Sequence, residues 1–259
     1  MSEAVDCVYD DEGTGPPVVF VHGIGSRRTA WRSIINGLGS GYRCISYDLR
    51  GHGDSPCPAD AFGLDELVTD LERLRERLNL DKIHIVGHSL GGMIGPAYAR
   101  LFPNRVLSIS LLSTAAFRTA DDSAKVNAVV DAMVAKGIAP VLDTLTARWF
   151  TDAFAIQHPD VIEARKRQVV ETPAGVFINV FRIYASTEMG PWLPEIQAPC
   201  LVLTGENDGG CNPRLNRLIA AALPRSQLVI LDGYKHSILA EAPGAVVAHL
   251  KPFLSTVLT

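Results

Sequence analysis

Short runs of consecutive apolar residues alternate along the chain with stretches whose apolar positions recur every three or four residues. Val18–Val21, Cys44–Tyr47, Ile83–Val86, Val106–Leu112, Leu201–Thr204 and Leu228–Leu231 are of the first kind. Runs this short, rich in Val, Ile and Leu, predict strands buried on both faces, as in a parallel sheet. Leu64, Leu67, Val68, Leu71, Leu74 and Leu78 are of the second kind, with most of the nearby charges off their stripe. That spacing predicts a helix with one buried face. Further helices are predicted from Ser89 to about Phe102, from about Pro213 to Leu223, and from about Pro243 to Leu254, the last tolerating Pro252. Strand and helix alternate, which predicts an α/β fold with a mostly parallel sheet.

One region breaks the alternation. Residues 117–195 hold no convincing buried strand and read as helices around 121–136, 140–150, 159–170 and 173–186. A patterned insertion of this length is too ordered for a loop. It predicts a helical cap, 117–195, on a core made of 1–116 and 196–259. Such a cap would cover the carboxyl ends of the strands, where open α/β sheets bind ligands.

Composition narrows the class. Of 259 residues, 47% are hydrophobic and 20% charged, which excludes disorder, coiled coil and collagen-like repeats. The formal charge of −4 argues against a nucleic-acid-binding stripe. The densest basic run, Arg165-Lys166-Arg167, follows Glu163 and reads as a solvated helix face. No run of 18 apolar residues exists to span a membrane. The acidic start, Met1 to Asp6, lacks the apolar stretch of a secretory signal. Cys7, Cys44, Cys57, Cys200 and Cys211 are scattered without C-x-x-C spacing, which suits a reducing compartment. The expected location is therefore the cytoplasm, and the oligomeric state is left open.

The candidate chemistry begins at Gly87-His88-Ser89-Leu90-Gly91. The G-x-S-x-G pattern alone matches by chance in roughly one chain in ten of this length. Here it directly follows a predicted strand and opens a helix rich in small residues, which is the setting of a nucleophile elbow. A serine hydroxyl needs a general base, and the base needs an orienting acid. Of seven histidines, His236 lies just past the last strand, on the edge that carries Ser89. His88 adjoins the serine and is expected to point away from it. Gly205-Glu206-Asn207-Asp208 supplies the acid between them in chain order. Asp208 is chosen over Glu206 because the loop must turn before it can point back at His236. The backbone N–H groups of Leu90 and of Ile24, in the glycine loop His22–Gly25, are the expected oxyanion donors. No H-E-x-x-H, clustered Cys/His, P-loop or post-strand G-x-G-x-x-G is present, so neither a metal nor a cofactor is expected.

These motifs, in this order, resemble the α/β-hydrolase superfamily over almost the whole chain. They include His22-Gly23, the loop Arg50-Gly51-His52-Gly53-Asp54-Ser55, the elbow, Gly205–Asp208, and His236 with Glu241-Ala242-Pro243. The resemblance implies a mostly parallel central sheet flanked by helices, with a helical cap inserted after the sixth strand. It also makes Arg50–Ser55 a structural loop, so His52 is not assigned to catalysis. Ser89–Gly95, Arg148–Phe154 and His158-Pro159 are similar to 3-oxoadipate enol-lactonases, which open a five-membered enol-lactone in aromatic catabolism. Trp149, Phe150 and Arg148 are then candidates for the substrate pocket, and Arg148 or Arg182 for holding a substrate carboxylate; the alternatives are packing of the cap alone for the aromatic residues and a helix-surface role for each arginine. Where those enzymes carry an Asp-Leu pair after the cap helices, this chain reads Ser186-Thr187-Glu188-Met189-Gly190-Pro191.

The expected activity is hydrolysis of a small ester or lactone by Ser89, His236 and Asp208 through an acyl-enzyme. A carboxylesterase and a carbon–carbon bond hydrolase of ring-fission products are enzymatic alternatives. A dehalogenase or epoxide hydrolase would need a carboxylate where Ser89 stands. A small-molecule receptor on the same scaffold is the non-enzymatic alternative.

Overall fold

The apolar runs become the interior of one seven-stranded sheet. The computed structural model describes residues 3–57 and 59–257. Met1 and Ser2 of the acidic N-terminal stretch, and the last two residues of the expected core range, lie outside them. The strands are β1 (Tyr9–Glu12), β2 (Pro17–Val21), β3 (Arg43–Tyr47), β4 (Ile83–His88), β5 (Val106–Leu112), β6 (Cys200–Gly205) and β7 (Ser226–Leu231). They lie in the order β1-β3-β2-β4-β5-β6-β7. Every pair is parallel except β1 with β3.

The six strands expected from the apolar runs are β2 to β7. β1 has no apolar run because it is an edge strand: three of its four residues are exposed. Its Asp11 carboxylate instead takes a fork from Arg43 of β3, with Nε at 3.0 Å and Nη2 at 2.7 Å. Charge on an edge strand also discourages pairing with another chain.

Alternate residues of the central strands feed two hydrophobic layers. Val19, Ile45, Ile85, Ile109 and Val202 face α2 (Leu64–Arg77), α3 (Gly91–Leu101) and α9 (Pro213–Ala222). Val18, Phe20, Cys44, Val86 and Leu201 face α1 (Arg32–Leu38) and α11 (Pro243–Thr256). The short α1 was not expected; Ile34, Ile35 and Leu38 bury it. Pro252 sits inside α11, which continues to Thr256.

Between β5 and β6 run α4 (Ala120–Lys136), α5 (Leu142–Trp149), α6 (Asp152–Gln157), α7 (Pro159–Glu171) and α8 (Ala174–Ser186). Along this chain the insertion follows the fifth strand of the seven described, one fewer than the resemblance implies. Its place, directly after the run Val106–Leu112, is the expected one. The four expected helices are α4, α5, α7 and α8. The six-residue α6 is too short for a period to show, and the Thr151 side chain caps it by accepting from Phe154 N–H. A four-residue helix, α10 (Ile238–Glu241), follows β7. No described helix is long and apolar enough to cross a membrane.

Candidate active site

Ser89 occupies the turn between β4 and α3 with φ +56°, a left-handed conformation that costs energy for a residue with a side chain. Two close approaches explain the flanking glycines. A Cβ on Gly87 would lie 2.1 Å from Gly91 O, and one on Gly91 would lie 2.0 Å from Val21 O. The turn is held by Ser89 N–H donating to Leu112 O at 2.8 Å and by Thr114 Oγ1 donating to Ser89 O at 2.9 Å. A Cβ on Gly23 would sit 2.9 Å from Ser89 Cβ, so only a glycine lets that loop rest on the serine.

His236 follows β7, and its Nδ1–H donates to Asp208 Oδ2 at 2.7 Å. Asp208 follows β6 and is 2% exposed. Its other oxygen accepts from Gly210 N–H at 3.0 Å and Cys211 N–H at 2.8 Å. Burial works against the ionised carboxyl, but the His236 charge and these hydrogen bonds outweigh it, so its pKa is lowered. Burial likewise works against the imidazolium of His236. The Asp208 charge and hydrogen bond, helped by Cys211, overcome it and raise the pKa to about 10. The rival acid, Glu206, accepts from Gly233 N–H at 2.9 Å and holds the loop rather than the imidazole.

His88 departs from expectation. It lines the same cavity as Ser89 and His236. Its ring lies 4.9 Å from that of His236, and its Nε2–H donates to His236 O at 3.0 Å. It thus supports the loop that carries His236.

The glycine loop after β2 is held by two imidazoles. His22 Nε2 accepts from Leu49 N–H at 3.0 Å, so the proton sits on Nδ1, which donates to Gly23 O at 2.7 Å. His52 Nε2 accepts from Gly25 N–H at 3.1 Å, and its Nδ1–H donates to Arg50 O at 3.1 Å. Burial lowers their pKa values to about 4 and about 3, so both are neutral scaffolding. Among the described residues, neither Ile24 N–H nor Leu90 N–H has a protein acceptor.

Ser89, His236 and Asp208 open onto one cavity of about 620 Å³, roofed by the insertion, within the range of small-molecule sites. Trp149, Phe150 and Arg148 all line it. Leu90 does not; its side chain is fully buried. Arg182 does not line it either and is exposed on α8. Phe154 stacks on Phe150, with centroids 5.6 Å apart, and packs the insertion.

Two arginines went unrecognised. Arg118 lines the cavity, with its guanidinium 4.3 Å from the Tyr184 ring centroid. Arg165 corrects the reading of the basic run. Lys166 pairs with Asp143 and Glu163 and Arg167 is exposed, but Arg165 faces the cavity with Val161, Ala164 and Gln168. That i, i+3, i+4, i+7 stripe was the available signal. The divergent segment 186–191 lies off the cavity. Its Glu188 accepts from Phe117 N–H at 2.9 Å and Gly190 N–H at 2.7 Å, closing the base of the insertion.

Ligand-type atoms of Asp208, Cys211 and His236 fall within 4.8 Å of one another. The donor set does not fit a metal. Two ligands on one tetrahedral ion stand about 3.4 Å apart, whereas the Asp208–His236 contact of 2.7 Å is a hydrogen bond. The Cys211 sulfur lies 3.1 Å from the Tyr184 hydroxyl.

Comparison with known proteins agrees with this architecture. The chain is 26% identical over 217 residues to 3-oxoadipate enol-lactonase 2 of Acinetobacter baylyi, covering 84% of this chain and 80% of that one. It is 31% identical over 235 residues to the magnesium-chelatase 30 kDa subunit of Rhodobacter capsulatus, covering 85% and 80%. Among solved structures it is similar to a thermophilic esterase from Thermogutta terrifontis. The TM-score is 0.88 and the identity 28%, over 98% of this chain and 95% of that one. The family model of the alpha/beta hydrolase fold matches residues 16–243; the chain belongs to that family.

Proposed function

We propose that the chain hydrolyses a small carboxylic ester or lactone through an acyl-enzyme on Ser89, with an enol-lactone of the 3-oxoadipate type as the substrate. The observation that carries this reading is the Asp208–His236 hydrogen bond of 2.7 Å, opening onto the cavity that Ser89 enters from its strained turn. The 3-oxoadipate enol-lactonase among the relatives supports the choice of substrate. Fold alone would not, since one fold hosts many activities.

In this mechanism Ser89 Oγ attacks the carbonyl carbon while His236 Nε2 takes its proton. Asp208 holds the Nδ1–H tautomer and stabilises the imidazolium. The tetrahedral oxyanion is bound by the N–H groups of Ile24 and Leu90, two donors left without a protein partner. Collapse breaks the bond to the leaving oxygen, which His236 protonates. An enol is a good leaving group because its conjugate base is delocalised. His236 then takes a proton from water, the hydroxide attacks the acyl carbon, and the acid and free Ser89 result. Residues 117–195 serve as the cap on a core of 1–116 and 196–259. In it Trp149 and Phe150 give the acyl group an apolar wall, with Arg148 at its edge.

The test compares kcat/KM for 3-oxoadipate enol-lactone with that for a p-nitrophenyl ester, using Ser89→Ala as the blank. The proposal expects a lactone value of about 10⁵ M⁻¹s⁻¹ or above, well above the ester. Ester turnover with a poor lactone rate would keep the three residues and discard the enol-lactone, moving attention to other esters and ring-fission products. Labelling of Ser89 by a phosphonate without turnover of any ester would favour the receptor alternative.

A further inference from the structure

The insertion sends one cationic side chain to the loop beneath the oxyanion. Arg165 Nη2 donates to Ile24 O at 2.8 Å, and its Nη1 donates to Gly25 O. The guanidinium lies over the Trp149 ring, 4.8 Å from its centroid. Among the described residues no carboxylate lies within 4.0 Å of it. Burial, with no opposing acid, lowers its pKa to about 10. Placing an uncompensated charge in a cavity wall works against stability. Its hydrogen bonds go instead to two carbonyls of the loop carrying Ile24 N–H.

The two peptide planes that flank Ile24 are each gripped. The Gly23–Ile24 plane, which bears the Ile24 N–H, is held at Gly23 O by His22. The Ile24–Gly25 plane is held at its N–H by His52 and at its oxygen by Arg165. His22 and His52 belong to the core, whereas Arg165 comes from α7 of the insertion. Trp149, under the guanidinium, is tied to the other side of the site. Its carbonyl accepts from Ser237 N–H at 2.8 Å, one residue past His236, and Lys235 Nζ donates to Ala147 O at 3.0 Å. The Arg165–Trp149 stack therefore spans the cavity from the oxyanion loop to the loop of the base.

We propose that Arg165 is a positioning residue for the oxyanion hole. It fixes the Ile24–Gly25 peptide, aims the Ile24 N–H, and with Trp149 sets the distance between that donor and His236. The insertion then belongs to the reacting machinery as well as covering it. This inference rests on the hydrolase reading above. A single oxyanion donor is worth about 10²–10³ in kcat, and a misplacement of 1 Å costs on the order of 10²-fold.

The test uses Arg165→Ala and Arg165→Lys in the full chain, with p-nitrophenyl acetate as a neutral ester and p-nitrophenyl hemisuccinate as an anionic one. Arg165→Ala should lower kcat about 10- to 100-fold on both esters, with KM nearly unchanged. Affinity for a trifluoromethyl ketone, which forms a tetrahedral adduct, should fall in proportion to kcat/KM. Arg165→Lys, or added guanidinium ion with Arg165→Ala, should restore part of the rate. Melting curves show whether each variant is folded, and Arg165→Lys carries the test if Arg165→Ala is not. Unchanged kcat on the acetate overturns the proposal. So does a loss confined to KM for the hemisuccinate, which would make Arg165 a carboxylate site. Absence of turnover by the unmodified protein would instead overturn the hydrolase reading itself.

Discussion

Largely enclosed imidazoles stand on both sides of Ser89, and they differ in how readily they take a proton. On one side His22 and His52 bond only backbone groups, and burial lowers their pKa values to about 4 and about 3. On the other, His236 is also enclosed, yet its pKa is raised because Asp208 faces its Nδ1. His88 sharpens the contrast. It touches His236, but its partner is a carbonyl, and burial takes its pKa down to about 3. All four are shielded from solvent, His22 and His52 completely and His88 and His236 in large part, so the partner decides the role. A carbonyl partner makes a neutral strut, and a carboxylate partner makes a group able to carry a proton through a reaction.

The largest expected effect removes the contrast at its centre. Ser89→Ala and His236→Ala should each lower kcat by at least about 10⁴-fold, read as ester turnover above the buffer rate. Asp208→Asn comes next, at roughly 10⁴-fold, because the imidazole loses the partner that fixes its tautomer. The pH profile carries the sign of that partnership. In the proposed mechanism His236 must be unprotonated to accept from Ser89. With its pKa raised above 6.5, kcat/KM should fall as pH drops through an apparent value above 6.5. Asp208→Asn should move that midpoint downward, and an unmoved midpoint would refute the coupling.

The strut side should respond more mildly. His22→Phe keeps the ring volume but releases Gly23 O and orphans Leu49 N–H. It should cost about 1–3 kcal/mol of stability and about 10-fold in kcat, read by urea melts and by turnover. The struts also set acid stability. His22, His52 and His88 have folded pKa values of about 3 to 4, below the unfolded value near 6.5. The unfolded chain therefore binds more protons below pH 6.5. Their contribution is complete above that pH and is lost as pH falls toward 4 and 3, by about 1 kcal/mol per pH unit per histidine. His236 runs the other way: its contribution is complete below 6.5 and is lost as pH rises toward 10. Urea midpoints at pH 7, 6 and 5 should fall steadily. The smallest effect is Glu206→Gln, since Glu206 only accepts from Gly233 N–H at the surface. Its kcat/KM should stay within about threefold.

Much of this arrangement was legible in the chain. β2 to β7 lie on the apolar runs because strands buried on both faces need no polar alternation. The approach of Asp208 to His236 followed from chain order, since each follows the carboxyl end of a neighbouring parallel strand. Other parts were not. β1 is an acidic edge strand, held by Arg43 rather than by apolar burial. The place of His88 beside His236 depends on the loop after β7, 148 residues further along the chain, which its neighbours in sequence do not reveal. Arg165 was hidden by Lys166 and Arg167, whose charges made the run look solvated. On a helix adjacent residues point about 100° apart, so one member of a basic run can face a cavity while the next faces water.

Rapid quenching of the protein with p-nitrophenyl acetate, followed by peptide mass mapping, tests the central claim most directly. The account predicts a burst of p-nitrophenol close to one per chain, with the acetyl group on Ser89. The burst should be absent in Ser89→Ala, and in Asp208→Asn slowed by the same factor as turnover. Acetyl transfer to another residue, or turnover that survives the loss of Ser89, would contradict it.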